Sequence, residues 1–173
     1  SYGLFCAALI CGRTVRLGEP TISSARSAYI WKGRKPGQPF FAQFHLRCGK
    51  SRSANVASPA DPAKVTLPPY YPDDPVIRAD WAKYLDSWVY CDQRVGEVLA
   101  RLEAEGIADE TIVFFWTDHG ISHARGKQFL YDGGIHIPLI VRWPHHTKAG
   151  YVANELVSSL DILPTVLQAT HVK

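Results

Sequence analysis

Residues Thr111–Pro144, TIVFFWTDHGISHARGKQFLYDGGIHIPLIVRWP, constrain the fold more than any other stretch of this 173-residue chain. The run Thr111–Trp116 is β-branched and aromatic, too short for a helix and too apolar for a loop, which predicts a buried strand. It stops at Thr117-Asp118-His119-Gly120. A carboxylate beside an imidazole at the end of a buried strand is poor packing material and good metal or catalytic equipment. In open α/β sheets, sites form beyond the carboxyl ends of the strands. Arg125-Gly126-Lys127 and a Gly133-Gly134 turn follow, and Ile137–Trp143 is apolar enough to return as a second strand. Strand, acid–imidazole pair, cation, glycine turn and strand together point to a site for a metal and an anion.

The remaining segments extend this into an α/β pattern. Pro39–Leu46, PFFAQFHL, predicts another buried strand, ending at the basic loop Arg47–Arg52. Residues 53–76 are rich in proline and predict an extended, turn-forming stretch that wraps a surface. A long helix is expected from Pro75 to Glu105, with Trp81, Tyr84, Leu85, Trp88, Val89, Val95, Leu99 and Leu102 on one face and Gly106 as its C-cap. Asp92 falls near that stripe and reads as a half-buried structural acid. Val152–Ser158 reads as a strand, and Ser159 or Asp161 as the cap of a following helix with Pro164 in its first turn. The order β, long α, β, β, β, α belongs to a layered α/β fold. Residues 1–38 lack any period and are expected to be irregular, with weak order before about residue 28.

Composition excludes some partners. The net charge is +3 without a clustered basic run, which does not fit nucleic acid. No apolar run approaches the ~20 residues that a membrane span needs. Leu4–Ile10 lacks the basic flank and cleavage site of a signal peptide. Cys6, Cys11, Cys48 and Cys91 match no zinc spacing, and free or buried thiols are expected. The absence of methionine leaves open that the chain is a piece of a longer one.

Asp118 and His119 are suited to a divalent cation, and Lys127 to an anionic substrate oxygen. A metal and a lysine around an anion are the machinery of sulfuryl or phosphoryl transfer. The ordinary alternative is that an Asp-His pair merely closes a turn. Gly49-Lys50-Ser51 imitates the end of a phosphate-binding loop, but Phe44 stands where the first glycine is required. Cys48-Gly49-Lys50-Ser51-Arg52 imitates a modified-cysteine motif, with Lys50 in place of the proline. Lys50 and Arg52 read as anion contacts on a rim, or simply as a solvated loop. His123, between Asp118 and Lys127, reads equally as a site residue or a structural one. His136 lines the glycine turn, and His145-His146 reads as surface. If several of these and His45 converged, they would bind metal or titrate near neutrality.

TIVFFWTDHG, RGKQFLYDGGIHIPLIVRWP and SSLDILPTVL, in this order, resemble the sulfatase family of the alkaline phosphatase superfamily, especially the heparan N-sulfatase and iduronate-sulfatase-like bacterial enzymes. PFFAQFHL, DPAKVTLPPYYPDDPVIRADWAKYLD and DQRVGEVLARLEAEG also fit, so the likeness covers roughly residues 36–170. It implies a partial alkaline-phosphatase-like layered fold, a mixed sheet flanked by helices, with residues 39–173 as part of a catalytic domain. It implies that Asp118 and His119 are ligands of a divalent cation, usually calcium. Lys127 matches the lysine that contacts sulfate, and Lys50 stands where a substrate-contacting histidine is usual. As a proton donor at neutral pH, lysine is the poorer of the two. Lys127, Lys50 and His123 are expected to grip the sulfate in the complete enzyme. The family's nucleophile is a formylglycine made from a Cys/Ser-X-Pro-X-Arg motif, which this chain lacks, so it is expected outside these residues and the chain alone is expected to be inactive. The implied substrate is a sulfated small molecule or glycan, as ester or sulfamate, and the implied setting is exported. Two other readings remain: a phosphatase or phosphodiesterase of the same superfamily, and a non-catalytic anion- or glycan-binding module. The oligomeric state is open.

Overall fold

The computed structural model describes residues 5–11, 35, 39–46, 49 and 51–171. Its elements are β1 (Phe5–Cys11), β2 (Phe40–His45), α1 (Pro75–Ala104), a 3-10 turn (Ala108–Glu110), β3 (Thr111–Thr117), α2 (Asp132–Ile135), β4 (Leu139–Arg142), a second 3-10 turn (Ser159–Asp161) and α3 (Ile162–Ala169). Two compact units share them. One gathers Leu46–Val98 and His119–His136; the other gathers Leu4–His45, Leu99–Asp118 and Ile137–Lys173.

The sheet unit has strand order β2-β1-β3-β4, and all three of its ladders are antiparallel. The α/β class holds, and among the described residues every pairing is antiparallel, where a mixed sheet was expected. β1 enters between β2 and β3 antiparallel to both, so these two strands run in the same direction without touching as a parallel pair. β1 also corrects the expectation of irregularity at Phe5–Cys11: Leu9 is in register with Ala42 on one side and Val113 on the other. Seven residues without alternation give little signal alone, and two neighbouring strands decide their state. Apart from these residues and Lys35, the segment 1–38 lies outside the described residues.

β3 is nearly continuous in burial, as its sequence requires. Ile112, Phe114 and Trp116 lie two residues apart, which puts them on one face of the strand. They cluster with Phe41, Leu139 and Trp143, and with Ile162, Val166 and Ala169 of α3, which recur at helical spacing. Asp161 is the N-cap of that helix, as expected, and Ser158 caps the 3-10 turn before it, with Leu160 N donating to Ser158 Oγ and Ser158 N donating to Asp161 Oδ2 at 2.7 Å, a reciprocal capping box. The strand expected at Val152–Ser158 is absent: residues 151–160 are exposed throughout and pair with no strand. The final turn of the long helix closes as expected, with Ile107 N donating to Leu102 O past Gly106, whose φ is 67°.

In the other unit, α1 packs Trp81, Ala82 and Tyr84 with Val65, surrounded by Ala60, Leu67, Tyr71, Trp88 and Ile121. The proline-rich stretch therefore lies on the helix. Arg78 ties it down, donating to Val65 O at 3.0 Å, and Asp86 accepts from Ala60 N at 2.8 Å. Trp81, Tyr84 and Leu102 of the expected stripe are buried, and the tether shifts only its edge. Leu85 and Val89 are exposed, whereas Asp86 and Ser87 are buried. The half-buried acid expected at Asp92 is Asp86 instead, because Asp86 meets an orphan backbone N–H and Asp92 faces solvent. Cys91, expected as a thiol, is disulfide-bonded and buried, a pairing that linear spacing cannot reveal. No helix among the described residues is long and apolar enough to cross a membrane.

Phe114 is 3% exposed at the centre of the sheet cluster, while Ile140 on β4 is 62% exposed. Phe114→Ala is expected to lower unfolding free energy by about 3–5 kcal/mol, and Ile140→Ser to change it by less than about 0.5 kcal/mol. Urea denaturation checks both, and equal losses would contradict the assigned face of β3.

Candidate functional site

The loop after β3 is built from close backbone approaches. Gly120 N donates to Gly134 O at 2.9 Å, Ile121 N to Gly133 O at 3.1 Å, and Lys127 N back to Ile121 O at 2.7 Å. A Cβ on Gly120 would stand 1.9 Å from the Gly133 carbonyl oxygen, and one on Gly134 would stand 2.1 Å from that of Phe129. The glycine pair, expected as a turn, is part of a single helical turn. It lies inside the short helix α2, where missing side chains let two strands of loop touch. Lys127 is carried on this folded loop and is partly exposed.

A side-chain network fixes the same loop to α1. Arg52 donates Nε to Asp80 Oδ1 at 2.8 Å and Nη2 to Asp80 Oδ2 at 3.2 Å, a bidentate pair. His123 Nε2 lies 2.8 Å from Asp80 Oδ2 and 3.1 Å from Arg52 Nη2. A carboxylate only accepts and a guanidinium only donates, so a single ring nitrogen satisfies one of them. The shorter contact assigns Nε2–H to Asp80. The His123 ring is boxed by Trp81 at 4.8 Å, Tyr84 at 5.0 Å and Tyr71 at 6.1 Å between centroids, and its Nδ1 is buried with no hydrogen-bond partner among the described residues. Tyr71 Oη donates to Ala124 O, adding a second tie.

Burial lowers the His123 pKa below the ordinary histidine value, against the opposing pull of its hydrogen bond to Asp80. Protonation would place an N–H at Nδ1 inside the aromatic box, where no described residue accepts it. Arg52 holds the Asp80 carboxyl below its usual range, chiefly through their hydrogen bonds.

The residues expected at a site are distributed unevenly. Asp118 follows β3 and is exposed. His119, next in sequence, is partly buried, with Nδ1 2.7 Å from the Gly120 carbonyl. That contact makes Nδ1 the donor and leaves Nε2 with the lone pair, the tautomer a metal ligand needs. Carboxylate and imidazole are both competent donors to a divalent cation. Among the described residues, however, no group of three or more His, Cys, Asp or Glu could hold a metal ion. Asp118 and His119 thus fit as part of a ligand set and not as a whole one. His123 and Lys127 share the same loop, whereas Lys50 lies outside the described residues. Arg52, expected on an exposed rim, is turned into the Asp80 pair instead. His136 is exposed beside Asp132, and His145 and His146 are exposed as expected. Sequence reasoning missed Asp80, whose partners lie 28 and 43 residues away and leave no local pattern.

A family model described as Sulfatase matches residues 25–172. An ulvan-active sulfatase of Formosa agariphila is 29% identical over 176 residues, covering 79% of this chain and 30% of that protein. The N-sulphoglucosamine sulphohydrolase of Homo sapiens is 36% identical over 137 residues, covering 75% of this chain and 27% of the relative. The steryl-sulfatase of Mus musculus is 37% identical over 101 residues, covering 48% and 16%. The chain spans less than a third of the length of these relatives. No solved structure matches it.

A histidine whose folded pKa is depressed favours the folded state fully above its unfolded pKa of about 6.5, and this contribution is lost as pH falls toward the folded value. The wild-type chain is therefore expected to lose stability between pH 7.5 and pH 5, and His123→Gln to flatten that slope. The Asp80 contribution is lost only at lower pH, below about 4. Urea midpoints across the range check this, and an unchanged slope in the variant would contradict it.

Proposed function

This chain belongs to the sulfatase family, and on that basis we propose that it supplies the sulfate-gripping part of a metal-dependent sulfatase active site. The reaction is hydrolysis of a sulfate ester or sulfamate on a sulfated small molecule or glycan. The observation that carries the reading is the folded loop beyond Asp118-His119, which holds Lys127 through its own backbone at 2.7 Å from Ile121.

In this reading Asp118 and His119 are ligands of a divalent cation, with calcium the family's usual choice. When bound, that cation supplies positive charge against the sulfate oxygens. Lys127 neutralises a further oxygen with its ammonium, and Lys50 is a second anion contact. Such charge placement matters because sulfuryl transfer is accelerated mainly by electrostatic stabilisation. His123 acts through position: with Nε2 committed to Asp80 and close to Arg52, it holds the Lys127 loop instead of gripping sulfate. The formylglycine nucleophile comes from outside these 173 residues, which contain no Cys/Ser-X-Pro-X-Arg run.

Calcium at millimolar concentration is expected to raise the thermal midpoint of the wild-type chain, and Asp118→Asn with His119→Ala to abolish the shift. An equal shift in the double variant, or none in the wild type, overturns the ligand assignment. The chain alone is expected to release no sulfate from 4-nitrophenyl sulfate; measurable release would overturn the external nucleophile.

A further inference from the structure

The loop that carries Lys127 also displays a cation and aromatic rings that the reading above does not use. The Arg125 guanidinium lies 4.4 Å from the centroid of Tyr131 and 5.2 Å from that of Tyr70. Phe129 stacks on Tyr131 at 6.0 Å with 17° between their planes. About half of each residue remains open to solvent: Tyr70 is 45%, Phe129 49% and Tyr131 50% exposed. Aromatic surface is usually consumed by packing, and a contiguous exposed cluster marks a contact surface.

We propose that Arg125, held between Tyr70 and Tyr131, forms a specificity-determining subsite for a second anionic group of a polyanionic saccharide, whose sugar ring rests on Phe129 and Tyr131. The inference rests on the reading of Lys127 as the contact for the sulfate being cleaved.

Three features carry it. First, among the described residues rings rather than carboxylates hold Arg125. Contact with ring faces leaves the in-plane N–H groups of a guanidinium directed outward, where they match a carboxylate or sulfate in bidentate fashion. Second, its backbone is in the left-handed region at φ 61°, a conformation unfavourable for arginine. The Gly126 N to His123 O bond at 3.1 Å and the Tyr71 hydroxyl on Ala124 O hold the chain around it. Third, Arg125 and Lys127 are two residues apart on one rigid loop, so one cation serves the sulfate and the other a neighbouring charge on the same ligand. A simple aryl sulfate has a single anion and no saccharide ring, and it makes no demand on Arg125. A sugar that carries a uronate or a second sulfate uses both cations, and its apolar C–H face suits an aromatic ring.

Calorimetric titration of the whole chain with calcium present separates the possibilities. The probes are a sulfated, uronate-containing hexasaccharide and 4-nitrophenyl sulfate. Arg125→Ala and Tyr131→Ala are each expected to weaken hexasaccharide binding about tenfold while leaving 4-nitrophenyl sulfate within about twofold. Tyr131→Phe retains binding. Arg125→Lys, which keeps the charge without the planar fork, recovers only a minor part of it. Lys127→Ala weakens both probes. Unchanged hexasaccharide binding in Arg125→Ala overturns the subsite, as does full recovery in Arg125→Lys or an equal loss on both probes. A loss in Arg125→Ala with no effect of Lys127→Ala on either probe supports the subsite and removes the reading of Lys127. Failure of the wild type to bind either probe overturns both.

Discussion

The Asp80 carboxylate is the joint on which the site loop depends. Arg52, Asp80 and His123 come from three separate stretches, and one carboxylate accepts from both of the others. The Coulomb attraction is not the main point, because Asp80 is about half exposed and pairs of that kind contribute only about 0–1 kcal/mol. The asymmetry lies at His123, whose side chain is 11% exposed. Without Asp80, its Nε2–H would be left without an acceptor among Trp81, Tyr84 and Tyr71, and a buried orphan of that kind costs about 1–3 kcal/mol. The network therefore matters more for the unpaired group it avoids than for the attraction it provides.

Backbone packing completes what this joint begins. Gly120 and Gly134 remove the side chains that would separate the two arms of the loop, so their peptide groups bond directly. Backbone bonds of this kind leave little conformational slack. Arg125 and Gln128, at φ 61° and 75°, absorb the turning that results. Non-glycine residues adopt such angles only where their surroundings over-determine them, and such positions concentrate at binding sites.

Local pattern explains which parts of the fold were legible. β2, β3 and α1 were readable because their burial follows a two-residue or helical period, or a continuous apolar run, within one segment. β1 was not, since Phe5–Cys11 is a strand only because β2 and β3 flank it. Asp86 and Asp92 lie on the same helix and differ only in what reaches them: Ala60 N arrives at Asp86 from the proline-rich stretch, a tertiary fact. At the site, composition marked Asp118, His119 and Lys127, because hard donors and a cation after a buried strand have few structural uses. It could not mark Asp80 or the turning of Arg52 toward it, because pairing over 28 and 43 residues has no sequence period.

The sulfatase reading demands rigidity more than reactivity from these residues. Charge stabilisation in group transfer depends on donors fixed before the reaction, since reorienting them during it would consume the gain. His119 meets this demand within its own segment: the Gly120 carbonyl sets its tautomer without help from a distant carboxylate. Lys127 meets it through Ile121, and His123 through Asp80. Each of these supports lies within a single compact unit. The loop can therefore be ordered before any metal, nucleophile or substrate arrives, and a cation placed on such a loop needs little further ordering to act on an anion.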